Sequence, residues 1–399
     1  MFRSVCFSGN GGRLAGGDVN GVIIVFDFLA GYEVFRIQSQ NAILSVDLSF
    51  SGERLAMCES KRIRVFHVQS GAPIYEKTST DRPRAVKLSL DGKKVAAGID
   101  GKLQVRRVDD GAHYHTFDKI ASPVCTMSID REGTVVAMGC EDGKLAVFLL
   151  SEIDETGSPQ WTAQLVKKVC TVVSPDGAFV AAGDHADNVS VFAAKTGELL
   201  WSKTSWGGKG APFTSSLSFA GDSSLLAIGR WDACAYLLQT NSWEIIATAK
   251  RKDSVYSVSL DHLGKRMAMS GRDKKAQVFA VDVARHAGCG ASAKLDLIFS
   301  AQLECVVNSV AMTRDGKLLA AGCMDAFVHI YLVNTKVNTV SRISRTYISH
   351  LPPVLASPIT DPALSSTNLP SPVPSPVKPL PPPPLCLLLP LLLFLLGSF

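Results

Sequence analysis

Apolar and polar residues alternate along this chain in short runs, and the runs recur with a period of about forty residues. In each repeat an aliphatic residue is followed by alanine and, three places after the aliphatic, by glycine or another small residue. The aliphatic positions are Leu14, Leu55, Val95, Val136, Val180, Leu226, Met267 and Leu319, and the small positions are Gly17, Cys58, Gly98, Gly139, Gly183, Gly229, Ser270 and Gly322. Such a period predicts a repeat fold.

The third repeat shows what each unit forms. Its alternating runs predict four β-strands, at Ala85–Leu90, Val95–Gly98, Leu103–Val108 and His113–Phe117. A glycine three residues before the aliphatic position predicts a tight turn between the first two strands, and Ser223 replaces it in the sixth repeat. Acidic or Asn-Gly pairs predict a second hairpin between strands two and three.

An aromatic residue stands about twelve positions after most of the aliphatic ones. These residues are Phe26, Phe66, Phe148, Phe192, Phe279 and Tyr331, with Tyr236 nearby and Arg106 as the exception. A four-stranded sheet cannot bury both faces alone, so the small residues would let neighbouring sheets approach while the aromatic fills the gap. The chain is therefore predicted to be an all-β propeller of eight four-stranded blades, with a disordered Pro-rich C-terminal tail.

Residues 1–343 of the chain resemble the WD40-repeat family. The resemblance lies in Leu90-Asp-Gly-Lys-Lys-Val-Ala-Ala-Gly98, Ser174-Pro-Asp-Gly-Ala-Phe-Val-Ala-Ala-Gly183 and Arg314-Asp-Gly-Lys-Leu-Leu-Ala-Ala-Gly322. The Gly-His pair and the Trp-Asp ending typical of the family are missing, and Phe26-Asp27 is the nearest approach to the latter. The resemblance implies a non-catalytic scaffold that assembles protein partners on its ring faces and loops.

The strand order also predicts how the ring closes. The last strand of the eighth repeat is expected around 337–343, and no earlier segment is left to complete that blade. Closure is then expected by packing of sheets, without exchange of a strand. The alternative is that the natural chain begins before Met1, because strand sequence starts already at Phe2.

Charge and cysteine usage restrict the partners and the compartment. The net charge of +5 is modest, and the first residues read as a strand, not as a secretion signal. Six of the ten cysteines fall in first or second strands, where they are expected to be buried apolar residues: Cys6, Cys58, Cys125, Cys140, Cys170 and Cys323. We expect a cytoplasmic or nuclear protein with no bound metal or cofactor.

The seventh repeat is locally basic. Its basic residues include Lys250, Arg251, Lys252, Arg272, Lys274 and Lys275, with Lys265 and Arg266 in another turn. One interpretation is an anionic lipid or nucleic-acid site; the other is a set of lysines and arginines on solvated turns.

Three insertions are candidate partner-binding loops: 151–159, 205–212 and 284–294. Trp206 lies in the second, which is predicted to be flexible. Trp231 is a further candidate, because it occupies a turn where other repeats carry small or charged residues.

The C-terminal part changes composition, with fourteen of the twenty prolines between Pro352 and Pro390. Residues 344–384 are predicted to be a disordered Ser/Pro-rich linker. Its Lys378, Leu380, Pro381 and Pro384 match ligands of SH3, EVH1 or profilin-type domains; the alternative is a plain spacer. The apolar segment 385–399 is shorter than a spanning helix. It is interpreted either as a short membrane anchor or as a misassigned gene end.

Catalytic patterns are missing from the sequence. One segment, Ala193-Ala-Lys-Thr-Gly-Glu-Leu-Leu-Trp201, resembles the tryptophan-docking motif of quinoprotein dehydrogenases, which repeat it in most of their blades. It occurs once here. A quinone-dependent dehydrogenase is the remote alternative, and we predict that the protein is not an enzyme.

Overall fold

The computed structural model describes residues 2–80, 83–99, 102–111, 113–117, 122–150, 158–206, 213–286, 289–325, 327–333 and 341–347. Within these ranges the chain forms 32 strands in eight antiparallel four-stranded sheets, each with its strands in chain order. The first strands of successive sheets lie side by side, so the sheets are blades around a central channel. The predicted eight-bladed all-β propeller is confirmed.

Blades one to four contain the following strands: β1 (Phe2–Phe7), β2 (Arg13–Asp18), β3 (Val22–Asp27), β4 (Tyr32–Gln38), β5 (Ile43–Leu48), β6 (Arg54–Glu59), β7 (Arg62–His67), β8 (Pro73–Thr78), β9 (Val86–Leu88), β10 (Lys94–Ile99), β11 (Lys102–Arg107), β12 (His113–Phe117), β13 (Val124–Ile129), β14 (Val135–Cys140), β15 (Lys144–Leu149) and β16 (Trp161–Gln164).

Blades five to eight contain the rest: β17 (Val169–Val173), β18 (Phe179–Asp184), β19 (Val189–Ala193), β20 (Leu199–Lys203), β21 (Thr214–Phe219), β22 (Leu225–Arg230), β23 (Cys234–Gln239), β24 (Glu244–Lys250), β25 (Val255–Leu260), β26 (Arg266–Gly271), β27 (Lys275–His286), β28 (Cys289–Gln302), β29 (Val307–Met312), β30 (Leu318–Cys323), β31 (Phe327–Leu332) and β32 (Ser341–Tyr347).

The apolar core is divided among the eight gaps between neighbouring blades, one buried cluster to each gap. The last cluster joins Val328 and Ile330 of blade eight to Val5 and Ile24 of blade one. Blades one and eight each contain four strands of their own. The ring therefore closes by sheet packing without strand exchange, as predicted.

The small residues of the repeat lie where blades approach most closely. A Cβ on Gly98 would lie 2.6 Å from Val124, and one on Gly17 would lie 2.5 Å from Ile43; both neighbours are on the first strand of the next blade. Cys58 and Ser270 occupy the same position in other blades and are fully buried. The predicted reason for small side chains at this position is confirmed.

The aromatic position fills the opposite side of the same gaps. Phe148 is fully buried, and Phe66 packs against Phe35 of the preceding blade with ring centroids 5.4 Å apart. Arg106 takes this position in blade three, where its guanidinium lies 6.0 Å from the ring centroid of Tyr75 in the blade before. The exception thus keeps a contact with the preceding blade through a cation–π interaction.

The turns between first and second strands use the left-handed conformation that the glycines predict. Ser223, which replaces glycine in blade six, adopts the same conformation with φ = 61°. Its carbonyl accepts a hydrogen bond of 2.8 Å from the hydroxyl of Thr240, which helps to hold this less favourable geometry.

Two elements differ from the prediction. The segment 284–294, expected to be a loop, mostly continues strands β27 and β28 as one long hairpin, with Ala284 paired to Ser292. The two strands hydrogen-bond to each other beyond the body of the blade, so their backbone groups are satisfied there. The glycines in the segment do not prevent this pairing. The last strand runs from Ser341 to Tyr347, later than the predicted 337–343, because its register is set by pairing of Leu332 with Ser341.

Candidate partner-binding face

Antiparallel order places the connections of each blade on two opposite faces of the ring. One face carries the turns between second and third strands and the connections from each fourth strand to the next blade; we call it the connector face. The other face carries the remaining turns. Because loops on a rigid frame can present side chains without disturbing the core, both faces are candidates for recognition.

Four rings from different strands and turns form a continuous row on the connector face. His185 stacks on Phe213 at 4.7 Å between centroids, Phe213 contacts Trp231 at 5.1 Å, and Trp231 contacts Tyr256 at 5.7 Å. The Trp231 residue is 39% exposed, while its backbone N–H donates to the carbonyl of Phe213 over 3.0 Å. Trp231 is thus exposed and held in place, while the other three rings of this aromatic row are half-buried.

Basic side chains flank the aromatic row at both ends. Lys167 and Lys168 are exposed beside His185. The backbone N–H of His185 donates to the Lys168 carbonyl over 3.2 Å. Partial burial, and then the charge of Lys168, lower the pKa of His185, so this ring is neutral at pH 7. At the other end Lys252 and Arg272 are exposed.

The structure separates the basic residues of the seventh repeat. Arg251 has no exposed side-chain surface; its guanidinium pairs with the carboxylate of Asp273 and donates to the Lys275 carbonyl over 2.8 Å. It supports the turn and is not a free cation. The exposed members that share the connector face are Lys250, Lys252, Arg272 and Lys274, and their role in binding stays a prediction. Lys265 and Arg266 lie on the opposite face.

Trp206 does not lie in an open loop. Its ring is 9% exposed and packs between Tyr236, at 4.6 Å, and the guanidinium of Arg230, at 4.7 Å. Arg230 is itself buried, and pairs with Asp232 at 3.0 Å and with Asp187 of the preceding blade. The expected flexible placement is wrong at Trp206 because this buried cation and the neighbouring rings hold it; residues 207–212 lie outside the described residues.

Polar side chains that the sequence reasoning missed connect the first strands around the channel. Hydroxyl or carboxylate oxygens of one first strand accept from backbone N–H groups of the next, over 2.9 to 3.2 Å. The pairs are Leu88 N–H to Asp47, Val173 N–H to Ser128, Leu260 N–H to Ser218 and Met312 N–H to Ser259. The sequence feature that could have predicted these bonds is a pair of serines two residues apart in each of β21 and β25. These bonds satisfy strand edges that would otherwise face the channel.

The motif similar to quinoprotein dehydrogenases serves packing. The indole N–H of Trp161, in blade four, donates to the Ala194 carbonyl over 2.7 Å. A Cβ on Gly197 would lie 2.8 Å from the Trp161 ring. Glycine is thus required here because a tryptophan from the preceding blade lies on the turn.

Several predicted elements lie outside the described residues: most of the insertion 151–159 and the tail from residue 348 on, including Lys378, Leu380, Pro381 and Pro384. Residues 344–347, predicted to begin the disordered linker, belong instead to β32. Among the residues that the structure describes, there is no helix of the length and apolar character needed to cross a bilayer.

Two protein-family models match parts of the chain. The model described as outer membrane protein assembly factor BamB matches residues 133–289, and the model described as WD domain, G-beta repeat matches residues 295–331. The two matches meet within blade seven, so the same ring is similar to two kinds of repeat.

Curated relatives and solved structures are similar over different lengths. Telomerase protein component 1 of Mus musculus is 28% identical over 174 residues, 42% of this chain but only 6% of that protein. Eukaryotic translation initiation factor 3 subunit I of Lodderomyces elongisporus is 23% identical over 279 residues, 67% of this chain and 71% of that protein. A chain in the crystal structure of the mitotic checkpoint complex superposes with a TM-score of 0.56 at 18% identity, covering 72% of this chain and 90% of that one, which shows the fold alone.

Proposed function

Since the chain is a WD40-repeat β-propeller, divergent in its signatures, we propose that it is a non-catalytic scaffold that binds a protein partner on the connector face. The observation that carries this proposal is the aromatic row with Trp231 exposed within it. Aromatic side chains held by a rigid frame dominate binding energy at protein interfaces, since they bury a large area at small cost in conformational entropy. The relative named as a subunit of a translation initiation factor supports a protein partner.

The chemistry of the face indicates what such a partner offers. Trp231 lies within the aromatic row, and the ends of the row carry Lys168 and Arg272. A complementary segment would place an apolar or aromatic side chain on Trp231 and acidic side chains at the ends. Charges at the rim mainly raise the association rate and select the partner, while the central ring contributes the affinity.

The alternative of an anionic lipid or nucleic acid has weaker support. Arg251 forms a buried ion pair with Asp273, so its charge is not available to a ligand. Arg272 lies 3.9 Å from the carboxylate of Asp253, which partly offsets its charge. Catalysis forms no part of the proposal, because the quinoprotein-like motif is accounted for by packing of Trp161. We place the protein in the cytoplasm or nucleus, in keeping with the free cysteines of the described residues. Binding of SH3, EVH1 or profilin-type domains by the tail stays a prediction.

The test is quantitative affinity recovery with the full chain and two variants. Trp231→Ala removes the exposed ring of the connector face. Tyr32→Ala removes a ring that is 62% exposed beside a turn of the opposite face, and serves as the matched control. Loss of a central anchor costs about 2–4 kcal/mol, which lowers recovery of a direct partner at least tenfold.

We expect one reproducible set of proteins to be lost with Trp231→Ala and kept with Tyr32→Ala. Equal recovery by both variants would remove the connector face from the proposal. Recovery that disappears after nuclease treatment or in the presence of anionic liposomes would favour the nucleic-acid or lipid alternative.

A further inference from the structure

Blade eight carries three metal-ligating side chains at one hairpin on the connector face. They are Cys323 at the end of β30, Asp325 in the following turn and His329 in β31. One ligand atom from each lies within 4.8 Å of the other two. Cys323 is fully buried, His329 is 4% exposed, and the Asp325 side chain is 13% exposed.

The hairpin register brings these side chains together. Ala321 pairs with His329, and Cys323 is two residues beyond Ala321 on the same strand. Because side chains alternate between the faces of a sheet, Cys323 and His329 project from the same face. Asp325 is held by its Oδ1, which accepts from the N–H of Phe327 over 3.0 Å, so that its Oδ2 lies 3.5 Å from the His329 Nε2.

The separation between Asp325 and His329 matches that of two ligands around a tetrahedral metal. Bonds of about 2.0–2.3 Å to zinc place neighbouring ligand atoms about 3.3–3.8 Å apart. The distance of 3.5 Å between Asp325 Oδ2 and His329 Nε2 fits this value and is longer than a good direct hydrogen bond, which is about 2.7–3.2 Å. The Cys323 thiol lies within 4.8 Å of both other ligand atoms, so it would move by up to about 1.3 Å to reach the sulfur–ligand separation of about 3.5 Å around zinc.

We propose that Cys323, Asp325 and His329 bind one Zn²⁺ ion, with water as the fourth ligand. Thiolate, imidazole and carboxylate are the donors that zinc takes in proteins. On binding, the Cys323 thiol loses its proton to solvent and the sulfur lone pair forms the bond to zinc. The ion would tie the second strand, the turn and the third strand of the last blade together.

Blade four provides a natural comparison at the same spacing. Cys140 and Asp142 stand where Cys323 and Asp325 stand in blade eight, but Ala146 occupies the position of His329. Cys140 is also fully buried. The two hairpins therefore differ in the imidazole: blade eight offers three donors and blade four offers two.

The test uses the full chain, freed of metal with a chelator and titrated with Co²⁺, which reports thiolate ligation by its absorption. We expect one equivalent to bind, with the visible bands of tetrahedral cobalt and a thiolate-to-cobalt charge-transfer band, and Zn²⁺ to displace it. Cys323→Ser should abolish the charge-transfer band, and His329→Gln should weaken binding at least tenfold. Cys140→Ser should change neither.

Thermal unfolding of each variant with and without Zn²⁺ separates loss of metal binding from loss of folding. Zn²⁺ should raise the Tm of the parent chain and of Cys140→Ser, and should not raise that of His329→Gln. Absence of a cobalt spectrum in the folded parent would overturn the proposal and leave an Asp325–His329 ion pair. A spectrum that survives Cys323→Ser, or that disappears with Cys140→Ser, would also overturn it.

Discussion

Gly183 in blade five and Thr214 in blade six approach so closely that a Cβ on Gly183 would lie 2.4 Å from the Thr214 Cγ2. The contact joins a second strand to the first strand of the next blade, and Thr214 is 1% exposed. The distance between neighbouring blades is therefore set by the size of one side chain, and the ring repeats this relationship from blade to blade.

Gly183→Ala should destabilise the protein by about 1–3 kcal/mol, because the added methyl group forces the two blades apart in a packed interior. Urea unfolding followed by circular dichroism measures the change. The matched control is Ser270→Ala, at the equivalent position of blade seven. There the Cβ is already accommodated and the buried hydroxyl has no hydrogen-bond partner, so stability should stay the same or rise. Equal losses in both variants would contradict this account.

Arg230→Ala should lower the free energy of unfolding by about 3–5 kcal/mol. The substitution leaves the buried Asp232 and the neighbouring Asp187 without their cation, and removes the guanidinium from the face of Trp206. Quenching of tryptophan fluorescence and the urea midpoint would report both effects.

The control for that prediction is Arg62→Ala. Arg62 lies 3.6 Å from Glu76 with both side chains about half exposed, so its loss should cost less than about 1 kcal/mol. A cost for Arg230→Ala as small as that for Arg62→Ala would mean that the buried pair adds nothing to stability.

The polar bridges between first strands should differ in strength with the charge of the acceptor. Asp47→Ala removes a carboxylate that accepts from the Leu88 N–H over 2.9 Å, and should cost about 1.5–3 kcal/mol. Ser128→Ala removes a hydroxyl that accepts from the Val173 N–H over 3.0 Å, and should cost about 0.5–1.5 kcal/mol. Amide hydrogen exchange should speed up at Leu88 and Val173 respectively; unchanged exchange at both would show that water replaces these acceptors.

Acid should destabilise the protein through His185. Its pKa is lowered below the ordinary value of 6.5, first by burial and then by the charge of Lys168. The unfolded chain therefore binds more protons than the folded one below pH 6.5, so this contribution is present above that pH and is lost as the pH falls through the folded pKa.

The measurement is the urea midpoint of the parent chain and of His185→Gln between about pH 7.5 and pH 5.5. The variant should show a flatter dependence on pH, whatever its stability at the starting pH. A slope identical to that of the parent would assign the acid sensitivity to other groups. His262, whose pKa is lowered by partial burial and then by Arg314, would account for a residual slope.

The blades follow from local features of the sequence. The third repeat shows this well, since the strands predicted at Leu103–Val108 and His113–Phe117 are found as Lys102–Arg107 and His113–Phe117. Three features are local properties of the sequence and recur in each repeat: the alternation of apolar residues, the turn glycine and the small residue that faces the next blade. The number of blades follows by counting, because every repeat needs a neighbour on each side to bury its two faces.

Which side chains are available for binding depends on contacts between blades. Trp206 and Trp231 looked alike as candidates in the sequence, yet Arg230 and Tyr236 cover the first, and the second lies 39% exposed. The aromatic row joins His185 to Tyr256 across three blades. Such contacts depend on how blades are placed around the ring, and no local period records which residue of one blade meets which residue of the next.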